Sequence, residues 1–289
     1  MSLLGIRDLR VSYPGPDGSA EVVHGIDLDV AAGTRAALVG ESGSGKSVTA
    51  RAVLGLDADA TMTGSIQLAG TELVGLPPKR LRAVRGSRAG LVFQDPLAAL
   101  NPVMTIGWQI MQPLVIRGVR KREARRRGID LLGRLGVRDA DHRFDDYPHQ
   151  FSGGMRQRVI IAIAIIAEPE LLIADEPTTA LDVRVQEQVL ELLIDLADER
   201  GMAVLLITHD LGIVAGFADH VVVLRHGRVV ERGPTDDIFY RPAHPYTRGL
   251  LGAIPRIDAD PAVRLATVPP DTAAEPAEAP VATSSLEQS

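Results

Sequence analysis

At 289 residues, with 45% hydrophobic and 24% charged side chains, the chain can bury one large α/β domain or a large domain plus a small one. A net charge of −6 gives no overall attraction to nucleic acid or to an anionic membrane, and no nucleic-acid partner is expected. The absence of cysteine excludes disulfides, thiolate metal sites, iron–sulfur clusters and cysteine nucleophiles.

The opening M-S-L-L-G-I-R-D-L-R carries charges early and lacks the apolar stretch of a secretory signal, so a cytosolic location is expected. Residues 3–13 and 20–30 alternate apolar and polar side chains around the turn Pro14 to Gly18, which predicts two antiparallel strands. Tyr13 stands just before that turn, where it could stack on a purine or simply end a strand.

A short apolar run, Ala36 to Val39, then leads into Gly40, Glu41, Ser42, Gly43, Ser44, Gly45, Lys46 and Ser47, the pattern G-x-x-x-x-G-K-[ST]. Such a loop wraps backbone N–H groups around nucleotide phosphates, and a helix is predicted from Val48 to Leu56 with its positive end at them. Lys46 supplies a point charge for the β- and γ-phosphates, and Ser47 a hydroxyl for Mg²⁺. Only three lysines accompany 28 arginines, which argues against a lysine at this position by accident. No lysine follows an asparagine, as guanine recognition through N-K-x-D would require, which favours ATP over GTP.

A strand predicted over Ala89 to Phe93 ends in Gln94, and from Thr105 to about Asp139 the pattern is helical and rich in arginine. The cluster Lys121, Arg122, Arg125, Arg126 and Arg127 is expected to form a solvated helix face, with phosphate or lipid contact the lesser alternative. Ser152, Gly153 and Gly154 form a second small-residue nest at a helix start, able to meet phosphate oxygens. The run Val159 to Ala167 is about half the length a membrane-spanning helix needs.

Leu171 to Ala174 read as a buried strand that delivers Asp175 and Glu176, suited to hold Mg²⁺ and to orient or deprotonate an attacking water. Ala203 to Thr208 and His220 to Leu224 are further predicted strands, the first ending near His209. Beyond Pro255 the composition drifts to Ala, Pro, Glu, Thr and Ser, and residues 258–289 are expected to be a disordered tail.

Taken together, these residues resemble an ATP-binding cassette (ABC) ATPase. F-S-G-G-M at Phe151 to Met155, followed by R-Q-R, is similar to the family signature L-S-G-G-Q; Gln94 matches its Q-loop, Ala180, Leu181 and Asp182 its D-loop, and His209 its switch histidine. The departures at Phe151 and Met155 sharpen the resemblance toward the first ATPase subunit of oligopeptide and dipeptide importers, as do Q-D-P-L-A-A-L-N-P-V-M-T-I and the stretch from Phe239 to Leu251. That stretch can also be read as a proline-bounded helix packing on the core.

The resemblance implies an α/β P-loop NTPase cassette in which residues 1–94 and 156–232 form a RecA-like core with an antiparallel β-subdomain. It further implies a helical subdomain over 95–155 carrying the signature, and a C-terminal extension over 233–257. The cofactors implied are ATP and Mg²⁺, with Tyr13, Gly40 to Val48, Ser152 to Gly154 and Asp182 on the nucleotide and Ser47, Gln94 and Asp175 on the metal. Glu176, His209 and Gln94 are the implied catalytic residues.

The implied partners are a second ATPase subunit, two permease subunits and an extracytoplasmic substrate-binding protein, at the cytoplasmic face of the membrane. The same machinery carrying nickel or another small solute is an alternative. So is a soluble ABC ATPase outside transport, although those usually carry two cassettes, a long coiled coil or a zinc module in one chain. Many peptide-importer ATPases also carry a cysteine segment after the extension; this chain has none, so the cluster held there in some members cannot be transferred.

Overall fold

The computed structural model describes residues 2–15, 18–178 and 181–253. The segment read as a disordered tail, the end of the extension and Ala180 lie outside the described residues.

The chain begins with β1 (Ser2–Gly15) and β2 (Gly18–Ala31), the expected antiparallel pair, and continues through β3 (Arg35–Val39) into α1 (Lys46–Val53). The helix stops short of Leu56 because Gly55 turns into the left-handed region. Strands β4 (Thr61–Leu68) and β5 (Thr71–Glu72) follow, then α2 (Pro78–Val84) and β6 (Ala89–Val92). The arginine-rich region folds into α3 (Pro96–Ala99), α4 (Ile106–Val115), α5 (Lys121–Arg134), α6 (Ala140–Arg143) and α7 (Gly153–Ile165).

Strand β7 (Leu171–Asp175), α8 (Val183–Arg200), β8 (Ala203–Thr208) and α9 (Leu211–Val214) return to the sheet. The described chain ends with β9 (His220–Arg225), β10 (Arg228–Pro234), α10 (Thr235–Tyr240) and α11 (Pro245–Gly252).

Two sheets result. One is antiparallel, ordered β2-β1-β4-β5; the other is ordered β10-β9-β3-β8-β7-β6, parallel except for β10. Parallel strands covered on both faces read as continuous apolar runs, and β3, β7 and β8 do. Leu38, Ile173, Leu205 and Ile207 face a core shared with α1 and the antiparallel sheet, while Val39, Leu172, Val204 and Leu206 face the core of the helical region.

Within that region α4, α5 and α7 pack on one another, and the buried Phe144 lies against α4 and α5. The arginine cluster is largely paired. Arg125 donates two bonds to Asp145, at 2.8 and 2.9 Å, while its guanidinium lies over the Phe144 ring. Arg126 and Arg127 both donate to Glu123, holding its carboxyl down at about 2.

Candidate active site

Parallel register explains why residues distant in sequence meet. Val39 pairs with Thr208, Asp175 with Ile207, and Val92 with Ala174, so the ladder ends at one edge of the sheet on all four strands. The loop beginning at Gly40, the acids Asp175 and Glu176, His209 and Gln94 all emerge there. Ligands of open α/β sheets bind outside such carboxyl ends.

The loop from Gly40 to Ser47 wraps the start of α1. Gly40 has φ 154°, and a Cβ there would strike the carbonyl oxygen of Leu224 and crowd the Ser44 hydroxyl, so no larger residue fits without displacement. Gly45 is the N-cap of α1 and offers no side-chain cap, and the helix has no acid in its first turn. The amides of Lys46, Ser47 and Val48 are therefore the uncapped donors of a helix start, and the buried Ser44 Oγ beside them has no hydrogen-bond partner. A cradle of donors with one orphaned hydroxyl fits a phosphate chain. Glu41, Ser42 and Gly43 form its exposed rim.

Lys46 is 4% exposed and donates to the carbonyl oxygens of Gly40 and Glu41, each at 2.8 Å. Burial lowers its pKa from the ordinary lysine value, against the raising influence of Glu176, Asp175 and Glu41. Ser47 Oγ donates to Asp175 Oδ1 at 2.9 Å. Asp175, also buried, has its pKa raised by that burial, while the Ser47 bond pulls it down.

Glu176 follows Asp175 directly in the chain. Its backbone adopts φ 47°, an uncommon conformation for a residue with a side chain, and its N–H donates to the Ile207 carbonyl at 2.8 Å. Gln94 Nε2 donates to Glu176 Oε2 at 3.0 Å, and His209 Nδ1 lies 3.0 Å from Glu176 Oε1.

The remaining sequence-derived residues stand apart from this constellation. Tyr13 donates its hydroxyl to Asp57, which also accepts from Arg51 Nε at 3.0 Å; that anchor was not anticipated from the sequence. Ser152 caps α7 by accepting the Met155 N–H at 3.4 Å, and with Gly153 it is exposed. Asp182 caps α8 by accepting the Val185 N–H at 3.0 Å. None of the described hydrogen bonds of Ser152, Gly153, Gly154 or Asp182 reaches the phosphate loop.

Contacts that sequence reasoning did not single out also reach the loop: Gly227 donates its N–H to the Ser44 carbonyl at 2.9 Å. Tyr246 of α11 accepts the Glu41 N–H through its hydroxyl at 3.1 Å.

Comparison with known proteins agrees with this geometry. The sequence matches the family described as ABC transporter over residues 23–179 and the oligopeptide/dipeptide transporter C-terminal region over residues 230–280. It is 46% identical to the oligopeptide transport ATP-binding protein OppD of Salmonella typhimurium (strain LT2), over 92% of this chain and 80% of that protein. It is 44% identical to the dipeptide transport ATP-binding protein DppD of Bacillus subtilis (strain 168), over 97% of this chain and 85% of that one. Among solved structures, the dimeric ATP-binding cassette MJ0796 in a post-hydrolysis state bound to ADP and Pi superposes with a TM-score of 0.73. That match has 27% identity and covers 80% of this chain and 98% of the other. The P-loop, the carboxyl-edge acids and these similarities agree, and the chain belongs to the ABC transporter family of ATP-hydrolysing cassettes.

Proposed function

We propose that this chain is the ATP-hydrolysing subunit of a membrane importer for di- and oligopeptides, coupling nucleotide binding and hydrolysis to uptake through a permease pair. The observation that carries the hydrolytic part is the position of Glu176, held by Gln94 and His209 next to the Ser47–Asp175 pair. The peptide cargo rests on what the relatives are named for and on the C-terminal region matched at residues 230–280.

In this reading the phosphates of ATP lie along the α1 N-terminus, with Lys46 leaving its carbonyl partners for the β- and γ-phosphates. Tyr13 offers its ring to the base while Asp57 fixes its hydroxyl. Ser47 Oγ, Asp175 and the amide oxygen of Gln94 are hard oxygen donors of the kind Mg²⁺ takes. When bound, the ion neutralises charge on the phosphate oxygens. Glu176 accepts the proton of the attacking water on a carboxylate oxygen, and His209 steadies charge developing at the γ-phosphate.

Ser152, Gly153 and Asp182, exposed here, and the half-buried Gly154 are read as facing the nucleotide of a second cassette, either a related subunit or another copy. In the same reading, residues 1–94 and 156–232 bind and hydrolyse nucleotide, and 95–155 passes the movement to the permeases. Residues 233–257 form the extension, and a binding protein outside the membrane delivers the peptide. No helix among the described residues is long and apolar enough to cross a membrane, which fits attachment to the cytoplasmic face through the permeases.

The test is Glu176→Gln in the assembled complex. ATP turnover should fall by about 10²–10⁴-fold with nucleotide still bound. Unchanged turnover would remove Glu176 from the role of base.

A further inference from the structure

Helix α11 lies past the last strand of the parallel sheet, yet Tyr246 is among the most deeply buried large side chains, at 1% exposure. Its hydroxyl reaches across 205 positions of sequence to the Glu41 N–H. That N–H and the Gly40 carbonyl belong to one peptide plane, and the carbonyl accepts from Lys46 Nζ at 2.8 Å. The first peptide of the phosphate loop is thus gripped on both sides, by Lys46 on its oxygen and by Tyr246 on its nitrogen.

The tyrosine is itself well supported. The Arg225 guanidinium lies over its ring at 4.7 Å, and Arg225 follows directly on Leu224, whose carbonyl backs Gly40. The start of α11 is fixed by Glu231 of β10, which accepts the N–H groups of Ala243 and His244 at 2.7 and 3.1 Å. His244 Nδ1 in turn accepts the Tyr246 N–H at 3.1 Å. Burial pushes the Tyr246 phenol above its ordinary value, so the hydroxyl stays neutral at neutral pH.

We propose that Tyr246 is a positioning residue for the phosphate loop, through which the C-terminal helix sets the affinity of the site for ATP. The inference rests on the reading of Gly40 to Ser47 as the nucleotide loop. Once Lys46 turns from the Gly40 carbonyl to a phosphate, the Tyr246 bond is what still holds that peptide plane. Anything that shifts α11 is then felt at the nucleotide, and nucleotide binding is felt at α11.

The experiment compares full-length wild type with Tyr246→Phe, which keeps the ring over Arg225 and removes the hydroxyl. Equilibrium titration with Mg-ATP should show about three- to tenfold weaker binding, the worth of one hydrogen bond. In the assembled complex the KM for ATP should rise by the same factor, with kcat at saturating ATP unchanged. Glu231→Gln, which loosens the turn before α11, should weaken binding in the same direction. Mg-ATP should also slow hydrogen exchange of α11 amides in wild type and not in Tyr246→Phe. An unmoved dissociation constant in both variants, or a loss of kcat with KM unchanged, overturns the proposal alone. A wild type that binds no ATP overturns the nucleotide reading with it.

Discussion

Asp175, proposed to hold Mg²⁺, is placed where it works against stability. It is 7% exposed, and burial raises its pKa above the ordinary aspartate value of 3.8, with the Ser47 hydroxyl offsetting part of that cost. The folded protein therefore binds this proton more tightly than the unfolded chain, so the group costs stability fully above its raised pKa and nothing below the unfolded value. Asp175→Asn should raise thermal stability near pH 7, with the gain vanishing as pH falls through 3.8, while Mg²⁺-dependent hydrolysis is lost. Thermal unfolding across pH 3–8 checks the sign.

The identities of these acids were legible in the sequence because a buried strand ended in them. Their partners were not, since the bonds from Gln94 and His209 to Glu176 span 82 and 33 positions and depend on which strands are neighbours.

At the scale of elements, local pattern predicted β1, β2, β3, β7, β8 and the helical region well, because alternation and apolar runs reflect which faces are buried. It was less exact at ends. Phe93 leaves β6 and is 44% exposed, since the pairing with β7 stops at Val92. The helical region also holds a contact with no local trace. Gly107 of α4 lies so close to Phe144 that a Cβ would overlap the ring, and Gly128 of α5 crowds the same ring from the other helix. Gly107→Ala should therefore destabilise the protein by about 1–3 kcal/mol despite alanine's better helix propensity. Urea unfolding followed by the fluorescence of Trp108, the single tryptophan, measures this directly.

For the whole molecule, the signature at the start of α7 tests whether an exposed surface serves another chain. A Cβ on Gly153 would meet nothing within 4 Å, so Gly153→Asp should leave the melting temperature of the isolated chain unchanged. In the assembled complex it should reduce ATP turnover at least about 100-fold, because the new carboxylate would face the partner's phosphates. Equal turnover with wild type would place the signature outside the site.

The sequence by itself determined the phosphate loop, the acids after the buried strand and the family resemblance, because each is a short run whose chemistry depends on spacing along the chain. Only the tertiary structure decided that Glu176 is held by Gln94 and His209, that Asp57 anchors Tyr13, and that Tyr246 grips the loop's first peptide. Those contacts follow from sheet order and helix docking, which bring together residues whose local sequence holds no record of the meeting.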